Sequence, residues 1–224
     1  MTHNPHTVGE VMTRTVVAVG QGARFKEIVA TMERWKVSAL PVLAGEGRVI
    51  GVVSEADLLP KEEFRDAAPE RVEQRRRLDD LRKAGGLTAA DVMSAPAMTV
   101  HADDTLAQAA RTMVRKSVKR LPVVDGRGML EGIVSRADLL KVFLRSDEEL
   151  AAEVRTEIVD RLFTGTHPKV EVSVRDGVVT LHGAVRDSAL LPVAARLVRA
   201  VEGVVDVTFD VRVAPAAERR TVAG

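Results

Sequence analysis

Residues 8–60 and 89–145 of this chain are one unit written twice, and that repetition constrains the fold more than any other feature. A slide of 81 positions puts Val11-Met12-Thr13 on Val92-Met93-Ser94, Leu40-Pro41-Val42 on Leu121-Pro122-Val123, and Gly51-Val52-Val53-Ser54 on Gly132-Ile133-Val134-Ser135. Ala56-Asp57-Leu58-Leu59 falls on Ala137-Asp138-Leu139-Leu140 with no gap in the register. Polar residues matched in both copies point to paired binding clefts, not to a catalytic centre built once. A unit of about 50 residues buries too little surface to be secure alone, so the two copies are expected to pack against each other.

The pattern within each copy reads β-α-β-β-α. In the first, Thr15–Val19 is β-rich, and Arg24–Trp35 carries Phe25, Ile28, Val29 and Met32 at helical spacing. Ala39–Leu43 and Val49–Ser54 read as strands joined by Gly45-Glu46-Gly47, and Glu55–Leu59 opens a helix. The second copy predicts a strand at Ala97–Val100, a helix at Thr105–Lys116, strands at Arg120–Val124 and Leu130–Ser135, and a helix over Arg136–Leu144. Asp103 or Asp104 is the expected cap of its first helix. Between the copies, residues 61–88 form a charged connection. Eight basic and seven acidic residues fall between Lys61 and Lys83, and Arg75-Arg76-Arg77 is diluted by neighbouring acids, as in a solvated helix.

Residues 147–214 follow another pattern, α-β-β-α-β. Leu150, Val154, Ile158 and Leu162 recur every four residues. Alternating valines flank Asp176-Gly177, a hairpin signature. Ser188–Ala200 is a second helix with Pro192 in its first turn, and Val205, Val207, Phe209, Val211 and Val213 alternate as a last strand. Both helices are expected on one face of a three-stranded sheet. Residues 215–224 read as a disordered tail. The predicted class is α+β: a pseudo-twofold pair followed by a small second domain.

Composition narrows the function. Lys plus Arg (33) nearly cancels Asp plus Glu (32), so no overall field favours nucleic acid. There is no cysteine, which excludes thiolate chemistry and Cys-based zinc sites. The histidines have no metal-ligand spacing, and no Gly-x-Ser-x-Gly elbow or Walker loop occurs. No export signal is read in Met1–Glu10, and the expectation is a cytoplasmic, non-enzymatic protein.

The strongest local motif is Gly-x-x-Ser-x-x-Asp, at Gly51, Ser54 and Asp57 and again at Gly132, Ser135 and Asp138. It sits where a strand gives way to a helix, a place suited to phosphate, with an Asp able to accept hydrogen bonds from vicinal ribose hydroxyls. The same spacing is also close to an ordinary capping box. Together with Val-Met-(Thr/Ser) and Leu-Pro-Val, it makes both copies resemble CBS domains. That resemblance implies a homodimerising regulatory pair that needs no cofactor and binds an adenine nucleotide (AMP, ADP or ATP) or S-adenosylmethionine between the copies. It places Asp57 and Asp138 on ribose, and Ser54 and Ser135 near phosphate. Ala39, Leu40 and Pro41, and Arg120, Leu121 and Pro122, would border adenine. Lys119, Arg120 and Arg136 stand where the first copy has Ser38, Ala39 and Glu55, so the Asp138 cleft is expected to bind phosphate more tightly.

Residues 147–214 resemble a BON domain through Val172, Val174, Asp176, Gly177, Val179, Leu181 and Gly183. The resemblance implies a phospholipid contact. Eight Arg/Lys against ten Asp/Glu between Glu149 and Val213 favour instead an unidentified protein or ligand partner.

Overall fold

The structure, a computed structural model, describes residues 6–63, 82–163, 170–185 and 187–213. The Arg75 run and the tail over 215–224 lie outside the described residues, as does most of the charged connection. The chain divides into two compact units, residues 6–139 and residues 140 onward.

In the first unit, β1 (Val19–Gly20) pairs parallel with β2 (Ala39–Ala44), which pairs antiparallel with β3 (Arg48–Ser54). The helix Phe25–Trp35 lies between β1 and β2 in sequence and buries Ile28 and Met32, while Val29 stays exposed. The second copy repeats this with β4 (Arg120–Val124) antiparallel to β5 (Leu130–Ser135) and the helix Leu106–Lys116. Its first strand shrinks to a single parallel bridge, Val100 to Val123, the counterpart of Val19 to Val42. Thr105, not Asp103 or Asp104, caps Leu106–Lys116: its side chain accepts from the Gln108 amide, while Asp104 accepts from the His101 amide one turn earlier.

The two copies exchange their leading segments. Val8 N–H donates to Asp104 O and Gly9 N–H to Ala102 O; Ala89 N–H donates to Ala23 O and Ala90 N–H to Gln21 O. Thr13 bridges Ile133 as Ser94 bridges Val52. Ala89 and Val92 of the second copy lie in the core of the first, beside Ile28, Leu40 and Val53. Each contact has its partner 81 residues away, so the unit is a pseudo-twofold pair. Arg48 and Met129, themselves 81 apart, bridge each other on the twofold relation.

In the second unit, β6 (Glu171–Arg175), β7 (Val178–Val185) and β8 (Asp206–Val213) form one sheet, antiparallel then parallel. Asp176 and Gly177, both at positive φ, close the two-residue hairpin. Residues 147–162 run as a helix with a wider, π-type turn over Val154–Val159, and Leu190–Arg199 is the second helix, with Pro192 in its first turn. Leu150, Val154 and Ile158 meet Ala194 and Val198 over Val172, Val179, Leu181 and Val207 in one core. Asp147 accepts from the Asp176 and Gly177 amides at 2.8 and 2.9 Å, tying helix to hairpin.

Candidate functional site

Ser54 ends β3 in extended conformation, and the chain turns at once into the short helix Glu55–Leu58. One oxygen of Asp57, Oδ2, accepts from the Ser54 amide (2.8 Å) and hydroxyl (2.6 Å), which is the capping-box arrangement. The other, Oδ1, faces one group beyond the connection and one within it: the Ser94 hydroxyl donates at 2.9 Å, and the Lys83 ammonium forms an ion pair. Asp57 is 8% exposed, the one buried polar side chain among the described residues. Ser135 and Asp138 repeat the cap at 2.9 and 2.6 Å, but Asp138 is only half-buried.

A cavity of about 400 Å³ opens beside Asp57. Its wall combines Ser38, Ala39, Ser54, Glu55 and Asp57 of the first copy with Ser94, Pro96, Ala97 and Met98 of the second. Lys116, Lys119 and Arg120 complete the wall, and Arg120 donates to the Ser38 hydroxyl. Three cations against Glu55 and Asp57 leave the cavity positive, and its wall offers carboxylate, hydroxyl and cationic groups together. Its volume lies within the roughly 300–1,000 Å³ of small-molecule sites.

Lys119 and Arg120 thus line the Asp57 cleft, whereas the sequence matched them to the Asp138 side. Crossing of the copies is the physical reason: a strand end of one copy reaches the cleft of the other. Arg136 donates to Val118 O at 3.2 Å, on the strand approach. Leu40 and Leu121 are fully buried, and Pro41 and Pro122 are buried beside them. These four residues do not line this cavity; of the expected adenine borders Ala39 and Arg120 reach its wall.

Gly51 and Gly132 have a packing role. A Cβ at Gly51 would overlap the Met93 sulfur, and one at Gly132 would lie 2.6 Å from Met12 Sδ. Each glycine thus admits the methionine of the opposite copy's leader.

The CBS domain family matches residues 8–61 and 89–145, and the BON domain family matches residues 146–215. The chain is a CBS pair followed by a BON domain. An uncharacterized protein of Methanocaldococcus jannaschii is 28% identical over 155 residues, which span 61% of this chain and 90% of that protein. Among solved structures, CBSX2 of Arabidopsis thaliana in complex with AMP is 28% identical, with a TM-score of 0.55 over 62% of this chain and 97% of that one. A second protein of Methanocaldococcus jannaschii is 26% identical, with a TM-score of 0.51 over 63% of this chain and 49% of that one. All three similarities cover a share of this chain close to the length of the CBS pair.

In the BON domain, His182 lies between Ser173 and Asp210 on neighbouring strands: Nε2 is 2.7 Å from Ser173 Oγ and Nδ1 is 3.5 Å from Asp210 Oδ2. The trio occupies the sheet face opposite the core, and the Asp210 side chain is 84% exposed. A carboxylate so exposed is solvated by water and gives the imidazole little fixed orientation. The arrangement is a cross-strand polar ladder of the same kind as Thr180 to Thr208, whose hydroxyls are 3.0 Å apart.

Proposed function

We propose that the CBS pair binds an adenosine-containing ligand in the Asp57 cleft and that the protein is a cytoplasmic regulator signalling through its BON domain. The observation that carries this reading is the cavity itself, whose wall joins one buried carboxylate, held by Ser54 and Ser94, with Lys116, Lys119 and Arg120. A nucleoside phosphate carries the matching groups, a vicinal diol that donates to a carboxylate and an anion that attracts cations. The AMP complex of CBSX2, at 28% identity, supports an adenine nucleotide. S-adenosylmethionine has the same diol, but it carries no phosphate and its sulfonium and ammonium outweigh its one carboxylate, so beside Lys116, Lys119 and Arg120 it is the weaker candidate.

A second copy of the chain is the partner proposed for the groove of about 590 Å³ lined by Phe25, Val29, Met32, Val37, Leu58 and Leu59. Val29 and Leu59 are 43% and 64% exposed there, apolar surface that a homodimer would cover. For the BON domain an unidentified protein partner is proposed. Phospholipid is the second reading, favoured by exposed Val193 and Leu197 beside Arg196 and Arg199 on one helix. Among the described residues no helix is long and apolar enough to cross a membrane. Liposome co-sedimentation separates surface attachment from protein contact.

The direct test is a thermal-unfolding shift with AMP, ADP, ATP and S-adenosylmethionine on wild type, Asp57→Ala and Asp138→Ala. Ligand at about 100 times its dissociation constant stabilises by roughly 2.7 kcal/mol. A shift lost in Asp57→Ala and kept in Asp138→Ala is expected. No shift with any of the four ligands would reduce the pair to a dimerisation platform.

A further inference from the structure

The Asp57 carboxylate is saturated before any ligand arrives. Oδ2 takes both Ser54 donors, and Oδ1 takes the Ser94 hydroxyl and the Lys83 ammonium. The Lys83–Asp57 pair is shielded from water, with side chains 16% and 10% exposed. Lys83 Nζ also lies 3.2 Å from Ser94 Oγ, so the ammonium bridges both polar groups at that end. Its backbone is held in place. Residues 82–85 form a helical turn, and Lys61 donates from its ammonium to Ala84 O (3.2 Å) and Gly86 O (2.9 Å) while sitting 5.0 Å from the Phe25 ring centroid.

We infer that Lys83 is a specificity-determining residue that competes with the ribose diol for Asp57. This rests on the nucleotide reading given above. A vicinal diol donates two hydrogen bonds, and Asp57 has no acceptor position open to receive both. Ser54 is fixed by its own cap, and the Ser94 backbone by pairing with Val52, but the Ser94 hydroxyl rotates and can yield the second position on Oδ1 once the first is open. Lys83 alone among the four donors sits at the end of a flexible side chain. Ligand entry therefore requires the ammonium to leave, and the apparent affinity falls by the fraction of molecules in which it has left. The cleft discriminates accordingly: a ligand must bring both a diol and enough anionic contact with Lys116, Lys119 and Arg120 to displace an internal ion pair.

The test is calorimetric titration with AMP in the Asp138→Ala chain, so that heat reports the Asp57 cleft. Lys83→Met removes the competitor and is expected to tighten AMP binding by about tenfold. Lys83→Arg keeps the charge, offers a forked donor, and is expected to weaken binding. In parallel, the unsubstituted chain is acetylated with N-hydroxysuccinimidyl acetate with and without saturating AMP. Lys83 is expected to be protected alone and modified with AMP. Heat in the Asp138→Ala parent with equal or weaker binding in Lys83→Met overturns the competition and leaves nucleotide binding standing. So does Lys83 labelling that AMP does not change. If Lys83→Met fails to fold, unchanged binding in Lys83→Arg overturns the proposal by itself. No heat in any variant, Lys83→Met included, overturns the nucleotide reading and this inference together.

Discussion

The two CBS copies share a backbone and differ in what surrounds it. Both place a bulge one residue past the Val-to-Gly pair of their hairpin, Val42 opposite Gly51 and Val123 opposite Gly132. Both cap the following helix with the same Ser and Asp at nearly equal distances. The first copy's Asp is buried, braced by Ser94 and paired with Lys83, while Asp138 is half-buried. The shared part is dictated by local sequence and mutual exchange. The unshared part comes from Lys83, which lies outside the repeated unit, and from Ser94 standing where the other copy has Thr13. Duplication gives a stable pair, and a residue outside the repeat and a changed one inside it then make one cleft unlike the other.

The largest test of this symmetry is overpacking at the two glycines. Gly51→Val and Gly132→Val each force a side chain into the methionine of the opposite leader, against Met93 and Met12. Each is expected to cost about 1–3 kcal/mol, and the two losses should be similar. Urea unfolding of both variants measures this. A large loss in one and none in the other would mean that the leaders are not exchanged equally.

A smaller effect separates the copies at their first helix. Thr105 caps its helix through the Gln108 amide, whereas Arg24, at the matched position, has no side-chain acceptor to offer. Thr105→Ala is expected to lose about 1 kcal/mol and Arg24→Thr to gain a similar amount. Equal and negligible changes in the same urea assay would show that tertiary packing, not the cap, sets these helix starts.

Much of this arrangement is legible in the sequence. The 81-residue register predicts the repeated strands, and Ser54-x-x-Asp57 predicts a strand-to-helix cap. What escaped has a physical reason. Leu40, Pro41, Leu121 and Pro122 were matched between copies, but matching marks core as readily as cleft, and core is where they lie. Ser94 was visible only as the twin of Thr13, and its contact with Asp57 spans 37 residues with no local signature. Lys83 sits in a charged run, and the slide places it on Thr2, so the repetition that exposed its neighbours is silent there. In the BON domain the alternating valines and Asp176-Gly177 sufficed for the hairpin. The Asp147 carboxylate that holds that turn from 29 residues away did not announce itself.

The smallest difference lies in the hairpin turns and depends on pH. The first copy turns through Ala44 and Gly45 to Gly47, with positive φ at both glycines. The second has Asp125 at the position of Ala44, and its Oδ1 accepts from the Met129 and Arg127 amides, each at 2.8 Å. Those backbone donors hold the Asp125 carboxyl below its ordinary value of 3.8. A carboxyl with a lowered folded-state pKa binds its proton less readily in the folded chain than in the unfolded one. Its contribution is therefore complete above the unfolded value and is lost as pH falls through the folded value. Asp125→Ala, which gives the second turn the first turn's residue, should be less stable than wild type at pH 7. The two stabilities should converge as pH is lowered below about 4. Urea unfolding at pH 7, 5, 4 and 3 measures the gap. A gap that stays constant across that range would show that Asp125 supports its turn through conformation alone, and would make the two hairpins equivalent in their response to acid.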